Sequence, residues 1–371
     1  MVSTLSSMKR TSGSTSGFQT SSSPPGFRNL IINGDMAVAQ RGTSFVSPSM
    51  DYTLDRWHWS TGGAGAVTIT RDTDVPNSTF KDSLKIDVTT ADASIAAGDW
   101  YWIEQRIEGN NMSQLRLGTS DAQTFTISFW VKSPKTGTHT VGFVAGGSGN
   151  WGYPAEYTVN VADTWEKKSV TIVGTSSGTW LAAGRASIGA YVAFVLAAGS
   201  DRQATAETWA VSTPYPFSTS SQVNCMDNVA NNFYITGVQL EVGSSATDFE
   251  HVPWDYQLRR CQRYYTTPHV YGTVPADGTY NSAIIGKPAA AGTIEPAANW
   301  YFPVTMRGSP TITTYNIGSG TASQWSNGSG TVSANIRVVM RSNTMAVIDN
   351  TGVALSAGTQ YYVNVKADAE L

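Results

Sequence analysis

Aromatic side chains are the residues of this sequence best suited to chemistry on a ligand. There are 12 Trp and 16 Tyr, and several crowd together, as in Trp57-His-Trp59, Trp100-Tyr-Trp102 and Trp151-Gly-Tyr153. Flat C–H faces of sugar rings stack on such side chains, so an exposed Trp or Tyr marks a candidate glycan contact. The same residues serve cores and subunit interfaces equally well. Strand alternation separates these uses. Trp100 and Trp102 share parity with Glu104 and Arg106, whereas Tyr101 sides with Ile103 and Ile107, so the two tryptophans are expected to face outward. Trp151 and Tyr153 are expected in a Gly-rich loop. Trp100, Trp102, Trp151 and Tyr153 are therefore the candidate carbohydrate-binding residues.

Motifs for catalysis are missing. His58, His139, His251 and His269 are never at metal-ligand spacing, and there is no His-Glu-x-x-His or Cys-x-x-Cys. No Gly-x-Ser-x-Gly segment reads as the strand-to-helix elbow of a serine hydrolase, and a Gly-x-x-x-x-Gly-Lys phosphate loop is lacking. Gly146-Gly-Ser-Gly149 has no strand-to-helix context and reads as loop. A glycosidase needs only two carboxylates brought together in space, which leaves Glu104, Glu156, Glu166 and Glu241 to be placed; solvent-facing strand positions are their expected setting. The chain is accordingly expected not to be an enzyme and to need no cofactor.

These residues sit in β text. The 371 residues are 40% hydrophobic and only 14% charged, rich in Gly, Ser, Thr and Ala, with a formal net charge of −3. Scarcity of strong helix formers disfavours a helical protein, and the absence of a basic stripe disfavours nucleic acid as a partner. No apolar run is long enough to span a bilayer. Cys225 and Cys261 are too few for a disulfide framework and read as buried thiols, with a single bridge as the alternative. The N-terminal MVSTLSSMKRTSGSTSG lacks the apolar core of a secretory signal, so synthesis and assembly in the cytoplasm are expected.

Along the chain, residues 1–27 are Ser/Thr/Gly-rich and read as a flexible or docking arm. Residues 28–252 alternate apolar and polar residues in short runs, among them Leu84–Val88, Tyr101–Ile107, Phe125–Lys132 and Tyr191–Leu196, punctuated by turn residues. That pattern predicts a β-sandwich or jelly roll. The run Phe233–Leu240 shifts phase at Gly237, which predicts a β-bulge there. Residues 253–265 predict a short linking helix with Pro253 in its first position, an Asp255–Arg259 pair, and a packing stripe of Trp254, Leu258, Cys261 and Tyr265. Residues 266–371 return to β text, including Tyr301–Met306, Thr311–Tyr315 and Tyr361–Val365, and predict a second, smaller β-sandwich.

Asn29-Leu-Ile-Ile-Asn-Gly-Asp-Met36, Trp57 downstream and the run Phe233 to Glu241 together resemble the family 4/9-like carbohydrate-binding modules. Those are jelly rolls, many of which hold a structural calcium through acidic residues of the last strand. Here Ile235-Thr-Gly-Val238 replaces the acidic core of that strand, leaving Asp35 and Glu241 as the calcium candidates the resemblance implies. The longer segment Asn29 to Gly42, with Gln239-Leu-Glu-Val-Gly243, Arg260-Cys-Gln-Arg-Tyr-Tyr265, Met306-Arg-Gly-Ser-Pro-Thr311 and Ala367-Asp-Ala-Glu-Leu371, is similar to bacteriophage tail-fibre and related virion proteins. This resemblance implies a virion location, a jelly roll followed by a small β domain, and a homotrimer, with no catalytic residues. The leading expectation is a fibre or appendage subunit on tail or head that attaches to host-surface glycan and docks to other virion proteins through residues 1–27. A decoration or adaptor protein that binds no glycan is the second reading, and a secreted glycan-processing enzyme the third.

Overall fold

The structure, a computed structural model, describes residues 27–146, 150–180, 186–277, 283–287, 296–327, 331–332, 335–351 and 356–371. The predicted arm, residues 1–27, lies outside them except for Phe27.

Two antiparallel sheets stack face to face to make a jelly-roll β-sandwich. The six-stranded sheet runs in the order Ser44–Val46, Ala66–Asp72, Ser83–Thr90, Asn232–Val242, Phe125–Lys132 and Glu166–Ile172. The seven-stranded sheet runs Ala210–Val211, Trp151–Val159, Gly137–Ala145, Ile188–Ala198, Trp100–Glu108, Trp57–Thr61 and Asp51–Tyr52. Alternation puts Phe125, Ile127, Phe129 and Val131 of one sheet against Tyr101, Ile103, Val192 and Phe194 of the other, all fully buried in one apolar cluster.

The bulge at Gly237 is present. Pairing of Asn232–Val242 with Phe125–Lys132 slips between Thr236 and Gln239, and Phe233, Ile235, Val238 and Leu240 all reach the core. Gly237 has φ +61, and a Cβ there would lie 2.8 Å from the Phe80 ring.

The opening segment makes two backbone bonds to the last jelly-roll strand, Leu30 N–H to the Leu240 carbonyl and Val238 N–H to the Gly34 carbonyl, and polar side chains supply the rest. Asn29 Oδ1 accepts from Ile31 and Leu240 N–H, each at 3.0 Å, while its amide donates to the Val238 carbonyl at 3.1 Å. Gln105 takes the place of a strand partner for Ile32, accepting its N–H at 2.7 Å and donating to its carbonyl at 2.8 Å. Asn33 closes the following turn on Val38, and the Trp57 indole donates to the Asn33 carbonyl at 3.0 Å.

The helix spans Trp254–Gln262, with Pro253 as its extended N-cap rather than in its first turn. Cys261 is buried against Ile32, Val38 and Tyr264, with Leu258 packed alongside. The rest of the predicted stripe does not form. Trp254 is 46% exposed, and Gln257 takes the buried position in the first turn. Tyr265 lies beyond the helix end, in the strand Tyr265–Thr266, so helical spacing no longer relates it to Cys261. Asp255 and Arg259 form no ion pair; Glu108 is paired with Arg263 instead, at 2.7 Å. Both cysteines are free and buried.

Beyond the helix, the strand Tyr361–Asp368 pairs with Tyr265–Thr266, Ile284–Gly286, Thr311–Tyr315 and Trp325–Ser326. A three-stranded sheet, Pro296–Tyr301, Met345–Thr351 and Asn335–Arg341, completes this region. The strand predicted over Tyr301–Met306 ends at Tyr301, since Pro303 has no N–H for a ladder. Residues 368–371 then run onto the jelly roll. Arg41 pairs with Asp368 at 2.9 Å and Glu370 at 3.0 Å, Arg56 pairs with Glu370, and Arg106 donates to the Leu371 carbonyl at 2.6 Å.

Three stability effects follow. The Arg56 and Glu370 side chains are 1% and 5% exposed, so Arg56→Ala leaves a buried carboxylate with Arg41 as its one remaining guanidinium and is expected to cost about 2–4 kcal/mol. Asp368→Asn, at a side chain 30% exposed, should cost under about 1 kcal/mol; denaturant midpoints check both. Gly237→Ala combines an unfavourable backbone with a steric clash and should destabilise by about 1–3 kcal/mol, read as a lower thermal midpoint.

Candidate functional site

The outer face of the seven-stranded sheet carries a cluster of aromatic and charged side chains directed away from the core. On Trp100–Glu108, alternation sends Tyr101, Ile103 and Ile107 inward, each at most 2% exposed, and Trp100, Trp102, Glu104 and Arg106 to the opposite face. Register places Ser60 beside Trp102 and His58 beside Glu104 on one flank. On the other flank Tyr191 lies beside Arg106 and Val195 beside Trp102.

The parity expected for the two tryptophans is therefore observed, but Trp102 is not exposed. It is 3% accessible because the chain between Gly199 and Thr219 folds back over it. Phe217 stacks on Trp102 with ring centroids 4.3 Å apart, and the Arg202 guanidinium lies 4.4 Å from the Trp100 ring centroid. Gly142 admits this layer, since a Cβ there would lie 2.6 Å from the Phe217 carbonyl oxygen. What stays half-buried around Trp102 is Trp100, Tyr191 and Tyr215, with Tyr191 and Tyr215 centroids 6.4 Å apart. The Trp100 indole donates to Ser60 Oγ at 3.1 Å, which fixes its ring plane.

Beneath these rings, Glu104 organises the polar side. The Trp102 indole donates to Oε2 at 2.8 Å, Arg106 Nε donates to Oε1 at 2.9 Å, and His58 Nδ1 lies 3.2 Å from Oε1. Burial opposes ionisation of Glu104, but His58 and Arg106 outweigh it and hold the carboxyl below its ordinary range. Both oxygens are engaged, so Glu104 is a fixed strut and not a solvent-facing strand residue as expected. The other sequence-flagged carboxylates are engaged elsewhere. Glu156 accepts from Thr219 at 2.6 Å, Glu166 accepts from Asn160, Val161 and Lys168, and Glu241 accepts from Gln239 and Thr247. No two of the four share a partner.

Trp151 and Tyr153 are not loop residues. They begin the strand Trp151–Val159 and point into the sandwich, on the opposite side of the sheet from Trp100 and Trp102. Tyr153 is 7% exposed and donates to Glu207 at 3.2 Å. Trp180 and Trp209 pack beside it, their ring centroids 5.4 Å apart. This second aromatic group closes one end of the core.

The calcium candidates are not brought together. Asp35 lies near Gln257, His251 and Asp82, and burial raises its carboxyl above the usual range. Glu241 faces Thr247 and Gln239, with Arg28 at 3.5 Å. Among the described residues, no group of three or more His, Cys, Asp or Glu is arranged to hold a metal ion.

Sequence reasoning missed Tyr191, Tyr215, Phe217 and Arg202. Tyr191 was recoverable from the alternation of its own strand, which opposes it to Val192 and Phe194. The covering layer had no such signal, because Pro214-Tyr-Pro-Phe217 is irregular backbone.

No protein-family model and no curated protein sequence matches the chain. Among solved structures it is similar to the enzymatically active domain of tailspike protein 4 of bacteriophage CBA120, at 17% identity and TM-score 0.31 over 58% of this chain; the alignment spans only 21% of that chain. It is also similar to a family 4 carbohydrate-binding module, at 15% identity and TM-score 0.29, over 57% of this chain and 98% of the module. A third is the family 11 carbohydrate-binding module of Clostridium thermocellum, in complex with a β-1,3-1,4-mixed-linked tetrasaccharide, at 11% identity and TM-score 0.28, over 57% and 99%.

Proposed function

We propose that this protein is a non-catalytic fibre or appendage subunit of a bacteriophage particle that holds host-surface glycan against the outer face of its seven-stranded sheet. The observation that carries the glycan reading is the partly exposed ring set of Trp100, Tyr191 and Tyr215, seated on a buried Trp102 and edged by Arg106 and Arg202. Such a surface combines flat apolar faces with fixed hydrogen-bond donors, the two features a saccharide uses. The virion reading is supported by the sequence resemblance of the segments Asn29–Gly42, Gln239–Gly243 and Arg260–Tyr265, and a homotrimer belongs to the same reading. Glu104 serves here as a positioning residue, keeping Trp102 and Arg106 in place.

The test is the solution mass of the full-length protein by light scattering, with glycan-array binding on the same sample. A trimer that binds saccharide is expected, and Trp100→Ala with Tyr191→Ala should weaken binding about tenfold or more while leaving the mass unchanged. A monomer silent on the array would overturn this reading and favour a decoration protein that assembles only on the particle.

The depressed Glu104 carboxyl has a pH signature of definite sign. Its contribution to stability is fully present above the unfolded value near ~4.3 and is lost as pH falls through the lower folded value. Glu104→Gln is therefore expected to be less stable than the parent at neutral pH and to lose less stability on acidification, as read from denaturant midpoints at a series of pH values.

A further inference from the structure

A second pocket, of about 290 Å³, opens on the outer face of the six-stranded sheet. It belongs to the other side of the sandwich from Trp100 and shares no residue with that surface. Its volume is near the lower end of the range of about 300–1,000 Å³ typical of small-molecule sites.

Gly237 creates it. On Phe125–Lys132, Phe125, Ile127, Phe129 and Val131 point into the core, so Ser128 and Trp130 point out, with Trp130 in register with Thr236 on one side and Lys167 on the other. The bulge leaves Gly237 beside Trp130 with no side chain. A Cβ there would lie 2.8 Å from Phe80 and 3.1 Å from Trp130 Cδ1, so its absence lets both rings border one hollow. Across from Trp130, Phe80, Phe249 and His251 form an aromatic wall, with Phe249 and His251 centroids 4.9 Å apart and Phe80 5.5 Å from His251.

Asn77 and Thr79 on the edge of this hollow bond to each other, whereas three other polar groups facing it are uncommitted. Among the described residues nothing accepts from the Trp130 indole N–H, and neither the Ser128 hydroxyl nor the His251 imidazole makes a hydrogen bond. Lys167 and Asp248, both exposed on the rim, form a loose ion pair at 3.9 Å. The rim thus offers donors and an acceptor above an aromatic floor. The paired Lys167 and Asp248 leave the rim without net charge, which selects for neither an anion nor a cation, and the ring of polar groups disfavours a purely apolar ligand. A ligand with a flat C–H face and hydroxyls that both donate and accept satisfies each group.

We propose that this pocket is a separate binding site for a neutral saccharide of one or two pyranose rings, with Trp130 as its stacking platform and Ser128, His251, Lys167 and Asp248 as its polar rim. The proposal stands independently of the Trp100 surface, because the two lie on different sheets.

Full-length protein is screened on an array of neutral saccharides, and soluble mono- and disaccharide hits are titrated by isothermal calorimetry. Trp130→Ala and the exposed-site variant His251→Ala are compared with Trp100→Ala, and circular dichroism confirms that each variant is folded. The expected result is a saccharide whose affinity falls about tenfold or more in Trp130→Ala, falls measurably in His251→Ala, and is unchanged in Trp100→Ala. The proposal is overturned if no neutral saccharide binds, or if every one that binds is lost with Trp100→Ala and retained when both Trp130 and His251 are replaced. Loss of fold in Trp130→Ala passes the decision to His251→Ala, where full retention of every hit also overturns it.

Discussion

Asp368 and Glu370 are drawn into a nest of arginines that the jelly roll supplies, and much else in the molecule is arranged around that arrangement. A buried carboxylate is costly to desolvate and tolerable only when its oxygens are fully engaged. Glu370 meets both Arg41 and Arg56, and each guanidinium also lies flat on a tyrosine, Arg41 at 3.7 Å from the Tyr265 ring centroid and Arg56 at 3.6 Å from that of Tyr264. Planar cations suit this double role better than ammonium groups would. Arg307 adds bonds to the carbonyls of Ala369 and Glu370, at 2.7 and 2.9 Å. The second β region is therefore oriented against the first by directional charge pairs and not by apolar contact alone.

The same network reaches the proposed glycan surface. Arg106 donates both to Leu371 and to Glu104, and Glu104 in turn receives the Trp102 indole. Displacing residues 368–371 would remove a partner from Arg106 and, one step further, loosen the group that fixes the aromatic floor. Three consecutive polar contacts thus connect residues 368–371 to the aromatic floor.

The regular β elements were legible because alternation reports burial directly. Phe125–Lys132 and Tyr101–Ile107 follow the rule residue by residue, and the phase slip at Gly237 was readable as a bulge because the apolar pairs on either side of it otherwise fall on opposite faces. Asn29, Asn33 and Trp57 were recognisable as a motif, and the structure gives their physical use: they satisfy backbone groups of a buried segment beyond its two backbone bonds to the last jelly-roll strand. What alternation cannot report is what lies on top of a face. Trp102 was read as exposed because its strand allows it, and it is covered by Phe217 from a segment over a hundred residues away. Trp151 and Tyr153 were misplaced because the glycines around them suggested a loop, whereas the strand begins at Trp151 itself. The helix stripe failed at its C-terminal end for a related reason: spacing predicts a face only while the helix lasts, and it stops at Gln262, while at the N-terminal end Gln257 and not Trp254 takes the buried face.

The strand Tyr361–Asp368 has a consequence for the order in which the chain becomes structured. Every strand it pairs with, from Tyr265–Thr266 to Trp325–Ser326, precedes it in the sequence. During synthesis those segments emerge without the template that joins them, and their edges stay unpaired until residues 361–368 leave the ribosome. Long-range pairing of this sort is slow and leaves strands open to wrong partners. The jelly roll, by contrast, has its last strand in hand by Val242, so it is complete while the second region is still waiting. Completion of the second region thus waits on its last strand, whereas every strand of the jelly roll lies within the first 242 residues.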